Sequence, residues 1–129
     1  MGDEREAAET FPLADVLGTI TGMLLGKMEG IYRVSQFMCG EPVWTHQLPR
    51  IGREIRPVVL RQHPQLAPII QEAKAVTSEN WQSMLEGWVE RFGPTITLQP
   101  MGTDDHESID PISELAEKVH PDRILPVKL

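Results

Sequence analysis

Apolar residues recur at helical spacing along most of this chain, in segments that glycine and proline separate. The first segment predicts a helix from Thr10, as its cap, to Gly26, with Pro12 in its first turn. A second helix is expected from about Lys27 to Met38, where Gly40 follows and stops it. The two should form a hairpin. The stripe of the first helix consists of Leu13, Val16, Leu17, Ile20 and Leu24.

Three further helical segments follow. Pro49 and Pro57 cannot both lie inside one straight helix, so a helix is expected to open near Pro49 and to kink or restart at Pro57. A short helix is predicted over 66–73. A longer one is expected to start at a cap, Thr77 or Ser78, and to end at Gly93 and Pro94. Its apolar residues at helical spacing are Trp81, Leu85, Trp88, Val89 and Phe92. The predicted core residues of these helices and the hairpin are Leu17, Ile20, Leu24, Ile31, Leu85, Trp88 and Phe92.

Beyond these helices the apolar period shortens to two. Thr95–Leu98 alternates and is rich in β-branched residues, which is typical of a half-buried strand. Its expected mate is Arg123–Val127, which follows a short helix with Asp110 as cap and Pro111 at its first position. The predicted fold class is therefore mainly α (α+β): a compact bundle of about five helices with a small C-terminal antiparallel β pair.

Length and composition indicate one folded unit. A chain of 129 residues suits one domain, so we expect a flexible acidic tail over 1–9 and a single globular domain over 10–129. The longest apolar stretch, 11–26, contains an aspartate and three glycines and is shorter than the roughly 20 residues that cross a bilayer. With one cysteine and a charged start, the chain is expected in the cytoplasm, with no membrane partner.

Gly18, Gly22 and Gly26 recur every four residues and would form a ridge without side chains on the first helix. Each glycine lowers helix stability by up to about 1 kcal/mol relative to alanine, so close packing is needed to explain the repeat. Either the second helix packs closely on the ridge, or the ridge admits a partner helix, including that of a second copy in a homodimer.

Positive charge concentrates in residues 43–63, although the net charge of the chain is -7. Four arginines there face one acidic residue, Glu54, and guanidinium groups bind carboxylates or phosphates in a two-pronged manner. Alternatively, the arginines pair internally with the tail, with the acidic cluster 104–107 or with exposed glutamates. The candidate partner-binding residues of this arginine-rich segment are Trp44, His46, Arg50, Arg53, Arg56, Arg61 and His63.

Histidines, a cysteine and acidic residues raise the question of a metal site or a nucleophile. Their spacing contains no HExxH, CxxC pair or GxSxG pattern. Cys39 is interpreted as a small apolar filler at a helix end, and 104–107 as a solvated loop ahead of the helix at Pro111. No catalytic residue, cofactor or metal ligand is predicted. The residues weighed are Cys39, His46, His63, His106, His120, Asp104, Asp105 and Glu107.

The chain resembles a family of small uncharacterised proteins of tailed bacteriophages and prophages. The pattern Thr45-His46-Gln47-Leu48-Pro49-Arg50 is the most specific part of this resemblance, which also covers 11–17, 21–25, 60–64, 88–93 and 106–115. The resemblance implies a protein of the infected bacterial cytoplasm, and it brings no enzymatic activity and no catalytic residues. By analogy, small acidic phage proteins often block a host defence, in the anti-CRISPR manner, or a host enzyme.

Three functions are consistent with these features. The first is stoichiometric binding of a host or phage protein, with inhibition of a host defence system or enzyme. The second is a nucleic-acid or phosphate-ligand binding module that uses the arginine-rich segment, with affinity falling as salt rises. The third is a metal-assisted hydrolase built on the 104–107 cluster and a histidine.

Overall fold

The computed structural model describes residues 7–102 and 104–118, and this part of the chain is mainly helical. It contains six α-helices, three short 3₁₀ turns and one antiparallel pair of strands. The strands are β1 (Glu9–Pro12) and β2 (Thr95–Leu98). The helices are α1 (Leu13–Thr21), α2 (Met28–Cys39), α3 (Leu48–Gln62), α4 (Ala67–Glu72), α5 (Trp81–Phe92) and α6 (Pro111–Lys118), and the turns are Thr45–Gln47, Pro64–Leu66 and Ala73–Ala75.

Helix α1 is shorter than its apolar stripe predicts. It ends at Thr21 because Gly22 adopts a left-handed conformation with φ of 77°, which only glycine takes at little cost. Leu24 therefore lies beyond the helix and is 54% exposed, so its predicted place in the core is wrong. Among the described residues, no helix has the length and apolar character needed to span a membrane.

The strand β2 is confirmed, but its partner is the N-terminal strand β1. Phe11 pairs with Ile96, and both side chains are buried, while the Thr10 and Thr97 hydroxyls meet at 2.7 Å on the opposite face. Thr10 thus lies in a strand and caps no helix, and Glu9, assigned to the tail, begins that strand. The predicted mate, 123–127, lies outside the described residues, as do residues 1–6 of the predicted tail.

Helices α1, α2 and α3 pack on one another and form the centre of the core. Helix α3 is continuous from Leu48 to Gln62, so no restart occurs at Pro57, whose ring faces solvent. Trp88 of α5 is buried, and its indole N–H donates to Glu72 Oε1 at 2.7 Å. Of the predicted core, Leu17, Ile20 and Trp88 are fully buried, and Ile31, Leu85 and Phe92 are partly buried.

The predicted glycine ridge does not form, because α1 ends before Gly22 and Gly26. Only Gly18 packs closely on α2: a Cβ there would lie 3.4 Å from the Ile31 side chain and 2.8 Å from the Met23 carbonyl oxygen. At Gly22 a Cβ would meet nothing within 4 Å. The three glycines therefore do not form one ridge along a helix.

Gly52 of α3 lies close to the backbone of α1. A Cβ at this position would lie 2.9 Å from the Thr19 carbonyl oxygen, so the two helices must move apart to accept it. Gly87 of α5 is the matched control, because a Cβ there meets nothing within 4 Å.

We expect Gly52→Ala to lower the free energy of unfolding by about 1–2 kcal/mol, because overpacking exceeds the gain in helix propensity. Gly87→Ala should raise it by up to about 1 kcal/mol. Urea denaturation of both variants measures the difference. Equal stabilisation by both changes would contradict the close crossing of α1 and α3.

Candidate functional site

The side chains of the arginine-rich segment do not all lie on one surface. Arg50, Arg53 and Arg56 spread over about 120° of α3 and reach different neighbours. The Arg56 Nε donates to the Ile20 carbonyl at the end of α1 at 2.8 Å, and Arg61 pairs with Asp105 at 3.1 Å. The Arg61–Asp105 pair is of the internal kind expected with the 104–107 cluster, whereas Arg50 pairs with a buried glutamate, Glu114, that the expectation did not include.

The two histidines and the tryptophan of the predicted surface are likewise separated. A ring nitrogen of His46 lies 2.7 Å from the Pro111 carbonyl oxygen at the start of α6, whereas one of His63 lies 2.6 Å from the Thr97 carbonyl oxygen of β2. Trp44 is about half exposed, and its ring meets that of His46 edge to face.

A charge cluster around the buried Glu114 carboxylate, the buried charge cluster, joins α3 to the C-terminal segment. Its other members, Glu41, Arg50, Glu54 and His106, are partly exposed. Arg50 donates from Nε to Glu114 Oε2 at 2.7 Å and from Nη2 to Oε1 at 3.0 Å, which is a two-pronged pair. Only 4% of the Glu114 side chain is exposed. The hydrogen bond to Glu114 is the main reason that the pKa of Arg50 lies above its ordinary value.

Gln47 completes the environment of Glu114. Its buried side-chain amide donates to Glu114 Oε1 at 2.9 Å and to the Ile109 carbonyl at 3.1 Å, and its amide oxygen accepts from the Trp44 backbone. A carboxylate in this position needs such partners, since an unpaired buried charge is very unfavourable. The turn that precedes α3 and helix α3 itself thus hold α6 in place.

His106 lies between two carboxylates. Its Nδ1 is 2.7 Å from Glu54 Oε1, and its Nε2 is 2.7 Å from Glu41 Oε2. Burial lowers the pKa of His106, but the hydrogen bonds and charges of Glu54 and Glu41 outweigh it and raise the pKa above 6.5. The pKa of Glu41 lies below its ordinary value, and the hydrogen bond from His106 is the main cause. The segment predicted as a solvated loop therefore packs against α3.

Cys39 lies beside this cluster. Its sulfur is within 4.8 Å of a Glu54 carboxylate oxygen and a His106 ring nitrogen. Burial, and then the negative charges of Glu54 and Glu41, raise the pKa of its thiol to about 12. Both nitrogens of the neighbouring imidazole already contact carboxylates. A protonated thiol beside an occupied imidazole is a poor nucleophile, since attack requires the thiolate.

A groove of about 480 Å³ lies on another side of α3, between that helix, α2 and the end of α1. Its rim carries two apolar side chains that solvent reaches, Leu24 at 54% and Met28 at 40% exposure. Isolated exposed apolar residues are common, but here they border a concave surface. The groove residues are Gly18, Thr19, Ile20, Thr21, Gly22, Leu24, Met28, Ile31, Ser35, Leu48, Pro49, Gly52, Arg53 and Arg56.

Two polar groups of the groove have no partner within the described part of the chain. The Ser35 hydroxyl is buried and makes no hydrogen bond there. Arg53, at the groove wall, is exposed and forms no ion pair with any described residue. Buried hydroxyls normally find a partner, and an exposed guanidinium beside apolar surface can bind a carboxylate. The groove can therefore receive an apolar ligand that carries an anionic group.

Sequence reasoning missed Gln47, Glu41 and Glu114 and the groove itself. One signal was present: Glu54 follows Arg50 by four residues on a helix, which is the spacing of an ion pair. Glu114 gives no such signal, because its partner lies 64 residues away in the sequence.

Residues 11–69 match the family model described as Domain of unknown function (DUF7736), and this part of the chain is similar to that family. The match spans all the groove residues, whereas His106 and Glu114 lie outside it. Searches of curated proteins and of solved structures gave no match.

The Arg50–Glu114 pair predicts a large difference between two arginines of α3. Arg50→Ala strands a buried carboxylate and should lower the free energy of unfolding by about 3–5 kcal/mol. Arg61→Ala removes a pair whose arginine side chain is 62% exposed, so the loss should stay below about 1 kcal/mol. Arg50→Lys should lower the free energy of unfolding by an amount between these two losses, because lysine keeps the charge without the planar fork.

Chemical denaturation and amide hydrogen exchange test this expectation. Exchange protection of α6 should drop in Arg50→Ala and persist in Arg61→Ala. Equal, small losses in both variants would show that the buried charge cluster does not hold α6.

Proposed function

We propose that this protein is a binding domain that takes a segment of a partner protein into the groove between α1, α2 and α3. The observation that carries this proposal is Arg53, an exposed cation beside the apolar rim of Leu24 and Met28 in a chain of net charge -7. The complementary segment presents apolar side chains next to an aspartate or glutamate.

A protein segment fits this site better than nucleic acid does. Phosphate binding draws on several lysines or arginines, yet Arg50 and Arg61 are paired with carboxylates and Arg56 donates to a carbonyl. Binding through the arginine-rich segment would break those contacts, so the nucleic-acid or phosphate module is the second candidate. The apolar rim adds favourable burial only for a ligand with apolar surface.

The resemblance to phage and prophage proteins supports a host or phage protein as the partner. On this basis the protein acts stoichiometrically, by occupying a surface of a host defence component or host enzyme. The environment of Cys39 supports binding over catalysis, because its thiol is held protonated and the adjacent His106 contacts two carboxylates.

Selection from a displayed random peptide library tests the groove directly. Enriched peptides should combine apolar residues with at least one acidic residue. Arg53→Glu should weaken their binding at least tenfold, which corresponds to about 1.4 kcal/mol, because it repels the carboxylate. Leu24→Asp should weaken binding by removing apolar contact at the rim. Fluorescence anisotropy of labelled peptides measures both effects.

Arg33→Glu is the matched control, since it makes the same charge change at an exposed position of α2 outside the groove. It should leave peptide affinity unchanged. The proposal fails if enriched peptides lack acidic residues or bind Arg53→Glu as tightly as wild type. Steeply salt-dependent binding of a labelled oligonucleotide, lost in Arg61→Ala, would favour the second candidate.

A further inference from the structure

Three potential metal ligands from separate parts of the chain meet beside the end of α2. The Cys39 sulfur, a Glu54 carboxylate oxygen and a His106 ring nitrogen all lie within 4.8 Å of one another. Cys39 is the last residue of α2, Glu54 lies in α3, and His106 lies in the segment that precedes α6. We propose that these three side chains bind a transition-metal ion, with Zn²⁺ the best match.

The distances fit such a site after small movements. In tetrahedral zinc sites, nitrogen, oxygen and sulfur ligands lie about 3.3–3.6 Å apart, as follows from bond lengths of about 2.0–2.3 Å. His106 Nδ1 and Glu54 Oε1 are 2.7 Å apart, so a metal that replaced the proton between them would separate them by about 0.6 Å. The sulfur would move inward by about 1 Å to close the site.

The surrounding groups resemble the outer environment of protein metal sites. A histidine that binds zinc commonly donates its other ring N–H to a carboxylate, which orients the ring. His106 Nε2 lies 2.7 Å from Glu41 Oε2 and would do so here. The second oxygen of Glu54 accepts hydrogen bonds from Arg50 at 2.7 Å and from the Glu107 backbone at 3.3 Å. These contacts hold both ligands in place.

The chemistry of the ligands selects the class of metal. One thiolate and one imidazole favour Zn²⁺ or Co²⁺ over Mg²⁺ and Ca²⁺, which prefer oxygen ligands only. Binding would release the thiol proton and the proton shared by His106 and Glu54. A dication replacing two protons leaves the charge of the cluster unchanged, so the neighbouring Arg50–Glu114 pair is not disturbed.

A bound ion would link residues 104–110, the segment that leads into α6, to α2 and α3. This inference is independent of the proposed partner groove, because none of the three ligands lines the groove. Either proposal can fail without the other.

Titration of the untagged protein with Co²⁺ tests the site. One equivalent should produce a thiolate-to-cobalt charge-transfer band in the near ultraviolet and visible bands typical of tetrahedral coordination. Cys39→Ser should abolish the charge-transfer band. His106→Gln should weaken Co²⁺ binding at least tenfold, and Glu41→Gln about 10–100-fold through the lost support of the imidazole. His63→Gln, outside the cluster, should bind as wild type does.

A thermal melt with Zn²⁺ supplies a second readout, because an ion that binds only the folded state raises the melting temperature. One equivalent of Zn²⁺ should raise it for wild type and His63→Gln, and leave Cys39→Ser unchanged. Circular dichroism of the metal-free variants checks that each is folded. Absence of the charge-transfer band in wild type, or Co²⁺ affinity that is equal in wild type, Cys39→Ser and His106→Gln, would overturn the proposal.

Discussion

The burial of the Glu114 carboxylate is the constraint on which the C-terminal part of the described structure depends. An ionised carboxylate can leave water only when charge and hydrogen bonds replace its hydration. Arg50 supplies two donors and Gln47 a third, and both come from the region around the start of α3. The position of α6 is therefore specified by polar partners, with Ile112 and Leu115 left exposed to solvent.

Helix α3 joins the two regions that carry the functional proposals. Arg50 and Glu54 point toward α6 and His106, whereas Gly52, Arg53 and the Arg56 side chain border the groove beside α1. Its buried residues fill the core between these two sides.

Much of the fold follows from local sequence rules. The helical periods of α2 and α5, the strand β2, and the opening of α6 after Asp110 are confirmed, since each depends on side-chain spacing or on a capping residue. Two of the errors come from a choice between two acceptable local structures. Thr10 can cap a helix or enter a strand, and Gly22 can continue a helix or end it. Packing of Phe11 against the core decided the first choice.

The sequence by itself determined the class of the fold and the charge of the arginine-rich segment. Only the tertiary structure decided which acidic residue each arginine meets, that β2 pairs with the N-terminal strand, and that Cys39, Glu54 and His106 lie together. The physical reason is the separation along the sequence of the residues that each interaction joins. Periodicity and capping act over a few residues of one segment. The Arg50–Glu114 and Glu54–His106 pairs join residues 64 and 52 positions apart, and such partners carry no mark in the local pattern.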